Sequence, residues 1–253
     1  MHCPTLFRHI LFGLAFGLIV QLLPLGSAYA APADMRVITD DILAPDEIGL
    51  EFQFNAAKPA ASNNIGQGNV LQGILEPAFG VAEHWEASLQ LPVEQISGAW
   101  YGTGLNTELQ YVAPHDDVDG YYWGWRGEID FVNEVNTQKS WQSELRAILG
   151  YRVYGWHLVL NPSVTVPLSG SDRQVTFEPS AKAVYKIGQH TDAGMEYFVE
   201  AGPISDTLPR QQRYEIPMLV MDTKSGKSDF NIGVGKGRTI ATDQWVIKVI
   251  ISL

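Results

Sequence analysis

The stretch WVIKVIISL, residues 245–253, alternates between two faces although most of its residues are apolar. Its odd-numbered residues, from Trp245 to Leu253, form a wholly apolar face, and Lys248 and Ser252 lie on the other. Successive side chains of a β-strand point to opposite faces, so this pattern predicts a strand. A strand that faces lipid and a buried strand of a soluble domain both fit it.

Eleven further segments repeat the same period of two. They are residues 47–55, 69–81, 84–94, 103–113, 121–131, 140–153, 156–168, 175–187, 191–202, 213–222 and 228–236. Strands of soluble proteins are usually about 5–6 residues long, whereas a tilted strand needs about 9–11 residues to cross a membrane. The long segments and their even number predict an all-β fold: an antiparallel up-and-down transmembrane β-barrel of about 12 strands over residues 47–253.

The first 30 residues are predicted to be a cleaved secretory signal peptide, because an apolar stretch after Arg8 ends in the small-residue pattern of residues 28–30. Residues 31–46 are then expected to be an N-terminal periplasmic segment. Removal of the peptide takes away the one cysteine, Cys3, and changes the formal net charge from −11 to −12. So acidic a chain is not expected to bind nucleic acid.

The face opposite the apolar stripe carries the charges, and it would line the lumen of a barrel in lipid. The candidate lumen-lining residues are Arg126, Glu128, Asp130, Glu144, Arg146, Arg152, Glu178, Lys182, Glu196, Glu200 and Lys248. Charges there must pair or meet water, since an unpaired buried charge is costly. If segment 121–132 folds back onto 140–153, Arg126 and Glu128 are expected to lie near Glu144 and Arg146 and to form ion pairs with them. Lys182 is likewise expected near Glu196. The excess of acids predicts a bias toward cations or neutral solutes.

Aromatic residues near the strand ends predict two girdles at the borders of a bilayer. The candidates are Trp85, Trp123, Trp156 and Tyr185 at the end with short turns, and Trp141 and Trp245 at the other end. Short turns are typical of the periplasmic side of such barrels. The sequence therefore predicts outer-membrane lipids as partners.

Several motifs resemble ligand-binding or catalytic sites but lack the residue spacing that such sites need. The glycine-rich stretches at 225–228 and 233–239 lack the spacing of a phosphate-binding loop. The acidic turn at 116–120 lacks the full pattern of a calcium loop. No serine is placed to pair with a histidine such as His157, so the sequence predicts no catalytic residue, no metal, no cofactor and no enzyme activity.

The chain resembles a family of small proteobacterial outer-membrane β-barrels, often labelled transporters or "meta-pathway of phenol degradation" proteins. The resemblance lies in residues 75–93, 102–112 and 229–253, as a rhythm of strands and tight turns. It implies an outer-membrane location, a porin-like role in transport and uptake of small solutes such as apolar or aromatic compounds. The last strand would be recognised by the outer-membrane assembly machinery of a Gram-negative cell, although it ends on Leu253 rather than on an aromatic residue.

Two other functions remain open at this stage. A closed barrel would serve a structural or surface-interaction role through outer loops that carry Trp100 and Tyr101. A soluble periplasmic β-sandwich or lipocalin-like binding protein would bury the apolar stripes as its core. Val246 and Ile250 fit the charged face poorly, and they indicate either a partly packed interior or a site for apolar solutes.

Overall fold

The structure of the chain is a computed structural model, which describes residues 34–60, 69–96, 98–116, 118–133, 139–171 and 173–253. The predicted signal peptide lies outside these residues. Among the described residues, no helix has the length and the apolar composition needed to cross a membrane. One short 3-10 turn, Arg210–Gln212, lies in a connection between strands.

The described chain forms twelve strands, four of which have a short interruption. The strands are β1 (Ile48–Lys58), β2 (Val70–Ala82), β3 (Trp85–Ile96), β4 (Ala99–Gly102 and Gly104–Val112), β5 (Gly120–Val132), β6 (Ser140–Val153), β7 (Trp156–Asn161 and Ser163–Pro167), β8 (Thr176–Phe177 and Ser180–Lys186), β9 (Thr191–Glu200 and Gly202–Pro203), β10 (Tyr214–Ser225), β11 (Ser228–Gly235) and β12 (Trp245–Ser252). Two of the interruptions contain a proline, Pro162 and Pro179, which has no N–H to give to the neighbouring strand.

Each strand pairs antiparallel with the next, and β12 pairs with β1. Glu51 lies opposite Ser252, and Lys58 lies opposite Trp245, so the sheet closes on itself. The predicted fold class, a closed antiparallel barrel of twelve strands, is confirmed. The connections 83–84, 113–119, 154–155, 187–190 and 226–227 share one end of the barrel, which we call the short-turn end.

The two faces of the sheet differ as the period of two predicts. In β5, Tyr121 is 80% exposed, Tyr122 is 4% exposed and Trp123 is 54% exposed. The large apolar side chains point outward along most of the strands, and the charged side chains point inward. This arrangement is the reverse of a soluble barrel, which buries its apolar face, and it excludes the predicted β-sandwich alternative.

The inner wall is not uniformly polar. Val246 and Ile250 of β12 are buried, and Val246 belongs to an apolar cluster with inward residues of β5 to β10 and with residues Met35, Val37 and Ile38. Of the two explanations that these apolar residues allow, the structure therefore supports the partly packed interior.

Candidate functional site: the occupied lumen

Residues 34–46, which we call the inner segment, enter the barrel at its short-turn end: Met35, Val37 and Ile38 are buried in the lumen, whereas residues 44–46 are exposed at that end, where the Asp46 N–H donates to the Gly80 carbonyl. Met35 is fully buried, and its N–H donates to Oε1 of Gln53 on β1 at 2.9 Å. Further along, the Ile38 N–H donates to Oδ1 of Asn161 at 2.8 Å, and Nδ2 of Asn161 returns a bond to the Ile38 carbonyl at 3.0 Å. The segment therefore contacts opposite walls of the lumen.

The sequence predicted residues 31–46 as a periplasmic segment; of these the structure describes 34–46, and a periplasmic location stays a prediction. The physical reason for the position in the lumen lies in the two faces of the segment. Met35 and Val37 belong to the apolar cluster of the inner wall, whereas Asp34 and Arg36 make ion pairs with the charged wall. The lumen thus satisfies both kinds of side chain at once.

Arg36 is the centre of the charge network on one wall. Its guanidinium lies 2.8 Å from a carboxylate oxygen of Glu51 and 2.9 Å from one of Glu76, and 3.8 Å from those of Asp34 and Glu108. Glu51 and Glu76 lie directly opposite each other on β1 and β2. The guanidinium of the inner segment therefore offsets the repulsion between like charges that the barrel register brings together.

Arg126 of β5 joins the same network from the neighbouring wall. It forms an ion pair with Glu108, lies 3.4 Å from Asp34, and lies 3.6 Å from Glu128. Its side chain is buried. Two arginines, Arg126 from the barrel and Arg36 from the inner segment, thus share a group of carboxylates. Asp34 of the inner segment contacts both of them.

The predicted cross-strand pairs between β5 and β6 require a correction. The register places Arg126 opposite Arg146 and Glu128 opposite Glu144, so like charges face each other. Arg146 instead bonds Glu144 of its own strand at 2.7 Å, because residues two apart on a strand share a face. Arg146 also donates to the carbonyl of Arg36 at 3.3 Å.

The predicted pair of Lys182 and Glu196 is present, with an N–O distance of 3.4 Å across β8 and β9. Glu196 also pairs with Lys248 of β12, and Lys182 lies 2.7 Å from Asp222 of β10. The Lys248 ammonium donates to the Met35 carbonyl at 2.8 Å. This second network lies on the wall formed by the last strands and holds the inner segment by its backbone.

Near the short-turn end, Asp40 of the inner segment is bound by two cationic side chains. Arg152 places two guanidinium nitrogens 2.5 and 2.6 Å from the two carboxylate oxygens of Asp40. Nε2 of His115, from the connection between β4 and β5, lies 2.7 Å from the same carboxylate. We call these three residues the Asp40 clamp.

The protonation of the clamp follows from its contacts. Burial would raise the pKa of Asp40, but the hydrogen bonds and the charge of Arg152, together with the bond from His115, lower that pKa below its ordinary value. Burial would lower the pKa of His115, but its bonds to the Ala113 carbonyl and to Asp40 raise that pKa above its ordinary value. The contacts thus favour a carboxylate beside an imidazolium.

Aromatic and imidazole rings fix the two cationic members of the clamp. The Arg152 guanidinium carbon lies 5.0 Å above the ring of Tyr122, and the His115 ring stacks on the same ring at 5.2 Å. The Tyr122 hydroxyl is 2.7 Å from Nε2 of His157. Tyr122 itself lies over Gly150, where an added Cβ would be 1.9 Å from the ring. These contacts hold Arg152 and His115 in one orientation.

A cavity of about 420 Å³ adjoins the clamp at the short-turn end. Its lining residues are Asp40, Asp41, Ile42, His84, Val112, His115 and Arg152. Arg152 and His115 thus border open space on one side and bind Asp40 on the other.

The remaining candidate residues also point inward. Asp130 accepts a bond from Nε2 of Gln142 at 3.1 Å, and Glu178 accepts one from the Thr176 hydroxyl at 2.6 Å. Glu200 lies opposite Tyr214 on the inner face of β9 and β10. These residues line the lumen nearer the end with longer connections, away from the Asp40 clamp.

The predicted girdle residues lie on the outer face. Trp123, Trp156, Tyr185 and Trp141 are about half exposed, and Trp85 and Trp245 are partly covered. Trp85 packs 4.8 Å from Tyr111, and Trp156 packs 5.2 Å from Tyr185, measured between ring centroids. Their contact with lipid stays a prediction.

Sequence reasoning missed the inner segment, and with it Asp34, Arg36, Asp40 and His115. A signal was present, because apolar and charged residues alternate from Asp34 to Val37 as they do in the strands. The glycine-rich stretch at 225–228, which resembles a phosphate-binding loop, lies away from the inner segment and forms the turn between β10 and β11. The acidic turn at 116–120 includes residue 117, which lies outside the described residues.

No protein-family model and no curated protein sequence matches this chain. Among solved structures, it is similar to an outer membrane channel from Pseudomonas putida F1, with 10% identity, a TM-score of 0.62, and coverage of 88% of this chain and 99% of that one. Outer membrane phospholipase A from Escherichia coli matches at 12% identity and a TM-score of 0.45, over 82% of this chain and 90% of its own. LpxR from Salmonella typhimurium matches at 8% identity and a TM-score of 0.44, over 81% of this chain and 99% of its own.

The prediction that the chain is no enzyme is wrong. It rested on the lack of a serine placed to pair with a histidine, and that lack does not exclude other chemistry. A fold positions side chains without setting their chemistry, so this barrel is compatible with an enzyme as well as with a channel. At 10% identity and a TM-score of 0.62, the similarity to the outer membrane channel shows the fold that this chain shares with it, a closed β-barrel.

Proposed function

We propose that this chain is an outer-membrane β-barrel that passes small solutes through its lumen, and that the inner segment closes the lumen in the state described here. The observation that carries the proposal is the position of the inner segment, whose residues Met35, Val37 and Ile38 are buried inside a barrel with an apolar outer face and a charged inner face. Outer-membrane lipids would surround the barrel, and the outer-membrane assembly machinery would insert it.

The outer face supports a location in lipid. Leu145, Leu149 and Leu219 point outward near the middle of their strands and are about half exposed or more. In water so many exposed apolar side chains would favour aggregation, whereas in a bilayer they face a solvent of their own kind. Short turns at the end where β1 begins and β12 ends agree with a periplasmic short-turn end.

The contacts of the inner segment support a closure that can open. Many of them are hydrogen bonds and ion pairs to barrel side chains, at Asp34, Arg36 and Asp40. Water that enters the lumen can replace such contacts, and the net contribution of each hydrogen bond to a charged group is about 1.5–3 kcal/mol. The apolar part is short, with Met35, Val37 and Ile38 in the shared cluster.

Removal of the inner segment tests the proposal. In planar bilayers, the variant that lacks residues 34–46 is expected to show steady conductance, whereas the full chain is expected to be mostly closed. The matched control, Arg36→Gly with Asp40→Ser, keeps the length of the segment but removes the ion pairs that these two residues make with the barrel. This control is expected to open intermittently.

The charge of the opened lumen gives a second readout. Removal of Arg36 leaves Glu51, Glu76 and Glu108 facing the lumen. We expect the reversal potential in a salt gradient to indicate preference for cations. A variant without residues 34–46 that is folded, as shown by its heat-dependent mobility in electrophoresis, but passes no current would contradict transport and favour a structural or surface-interaction role.

A further inference from the structure

We propose that Arg152 and His115 form a binding site for small organic carboxylates, which Asp40 of the same chain occupies in this structure. A carboxylate that enters the adjoining cavity would compete with Asp40 for the two cations. Binding of a carboxylate at this site does not depend on whether solutes pass through the lumen. That displacement of Asp40 would loosen the inner segment and favour opening rests on the proposed function.

The geometry of the clamp is that of a carboxylate receptor. Two nitrogens of one guanidinium meet the two oxygens of Asp40 at 2.5 and 2.6 Å, which is the bidentate pairing that arginine makes with a carboxylate. His115 adds a third contact to the same group at 2.7 Å. Because Tyr122 packs against both cations, the site is held in place by the barrel and not by Asp40 alone.

The cavity beside the clamp has room for a ligand. Its volume of about 420 Å³ falls in the range of about 300–1,000 Å³ that small-molecule sites occupy. Ile42 and Val112 supply apolar walls, and His84 supplies an imidazole ring. An aromatic or short aliphatic acid could place its carboxylate on Arg152 and its hydrocarbon part against these walls.

The present occupant, Asp40, belongs to the inner segment and not to a strand, so it can leave the site without breaking the pairing of the barrel strands. Around it, Gln110 donates to the carbonyls of Thr39 and Asp41 at 3.3 and 3.5 Å. The Tyr122 hydroxyl also interacts with the Asp40 carboxylate. Displacement of one carboxylate by another leaves a carboxylate on Arg152, so it does not leave a partly buried arginine without a partner.

Asp41 also lines the cavity, and its negative charge opposes an incoming anion. Its side chain accepts a bond from the Thr39 hydroxyl at 2.8 Å, and it acts on Arg152 through its charge. It therefore offers a matched control: Asp41→Asn removes the same charge from the same cavity while Asp40 stays on Arg152.

Benzoate binding to the purified full-length protein in detergent micelles, followed by calorimetry, tests the site. Asp40→Asn is expected to bind benzoate about tenfold more tightly than the natural chain, since the competing charge-assisted bonds are gone. Asp41→Asn is expected to change affinity by less than about threefold, the effect of a screened charge at a distance. Benzamide, which is neutral, is expected not to bind.

The double variant Asp40→Asn, Arg152→Gln is expected to lose benzoate binding, and heat-dependent mobility in electrophoresis shows whether each variant is folded. The site is refuted if folded Asp40→Asn binds no benzoate, or if the two single aspartate variants gain affinity equally. Because binding in micelles needs no current, benzoate binding without conductance in any variant would refute the proposed transport and leave the site standing.

Discussion

At the scale of single residues, Lys248 shows how a buried charge is satisfied in this barrel. It is fully buried on an otherwise apolar and hydroxyl-bearing strand, and its ammonium meets Glu196 and the Met35 carbonyl. Lys182 approaches the same glutamate. Burial of a charge is costly, so the position is tolerable only because three elements of the chain converge on it.

Substitution of Lys248 by Met is expected to cost about 3–5 kcal/mol of unfolding free energy, because it leaves Glu196 with fewer partners in a buried place. Urea unfolding of the reconstituted protein, followed by tryptophan fluorescence, measures the change. Lys224→Met is the control: its pair with Asp229 is largely exposed and should contribute less than about 1 kcal/mol. Equal losses in the two variants would contradict a special role for the buried pair.

At the scale of elements, the contacts of the inner segment with the barrel are expected to depend on pH. The pKa of His115 is raised in the folded chain, so its stabilising contact is full below about pH 6.5 and is lost as pH rises through the raised value. The pKa of Asp40 is lowered, so its contact is full above about pH 3.8 and is lost as pH falls through the lowered value. The clamp is therefore tightest in the interval between, from about pH 4 to 6.5.

Cleavage by trypsin after Arg36, the one basic residue of the inner segment, reports this change. We expect cleavage to be several-fold faster at pH 9 than at pH 6, after correction with a peptide substrate for the protease itself. Arg152 still holds Asp40 at pH 9, so the segment is loosened and not released. In His115→Gln the difference between the two pH values should vanish; its persistence would assign the pH effect to another group.

At the scale of the whole molecule, the distribution of apolar surface indicates whether water or lipid surrounds the barrel. Leu145, in the middle of β6, is 55% exposed, and Ile240, in the connection between β11 and β12, is 68% exposed. In water the two residues would be equivalent surface positions. In a bilayer only Leu145 would face hydrocarbon, since it lies within a spanning strand.

Substitution by arginine separates these two cases. Leu145→Arg is expected to lower the stability of the barrel in lipid vesicles by about 2–4 kcal/mol, the cost of a charge near the middle of a bilayer. Ile240→Arg is expected to change stability by less than about 0.5 kcal/mol, as surface substitutions usually do. Similar small effects for both, measured by urea unfolding in vesicles, would argue against a membrane location.

The sequence by itself determined the strands, their two faces and the closed barrel. The reason is local, because neighbouring side chains of an extended chain point to opposite sides. Apolar and polar residues therefore alternate in the sequence wherever the two sides have different surroundings. The inward direction of Arg126, Glu196 and Lys248 followed from the same alternation. The sequence also showed that Val246 is an apolar residue on an otherwise charged face, although it did not show that Val246 belongs to a cluster with residues of the inner segment.

Only the tertiary structure decided what fills the lumen and which charges meet there. Lys248 and Met35 are 213 residues apart, and Arg152 and Asp40 are 112 apart, so no local pattern could join them. The register that places Arg126 opposite Arg146 depends on how the whole barrel closes. Like charges can face each other there because each has a group of opposite charge nearby: Arg146 bonds Glu144 of its own strand, and Arg126 pairs with Glu108 and with Asp34 of the inner segment. The contact with Asp34 exists only once the barrel has formed around the inner segment.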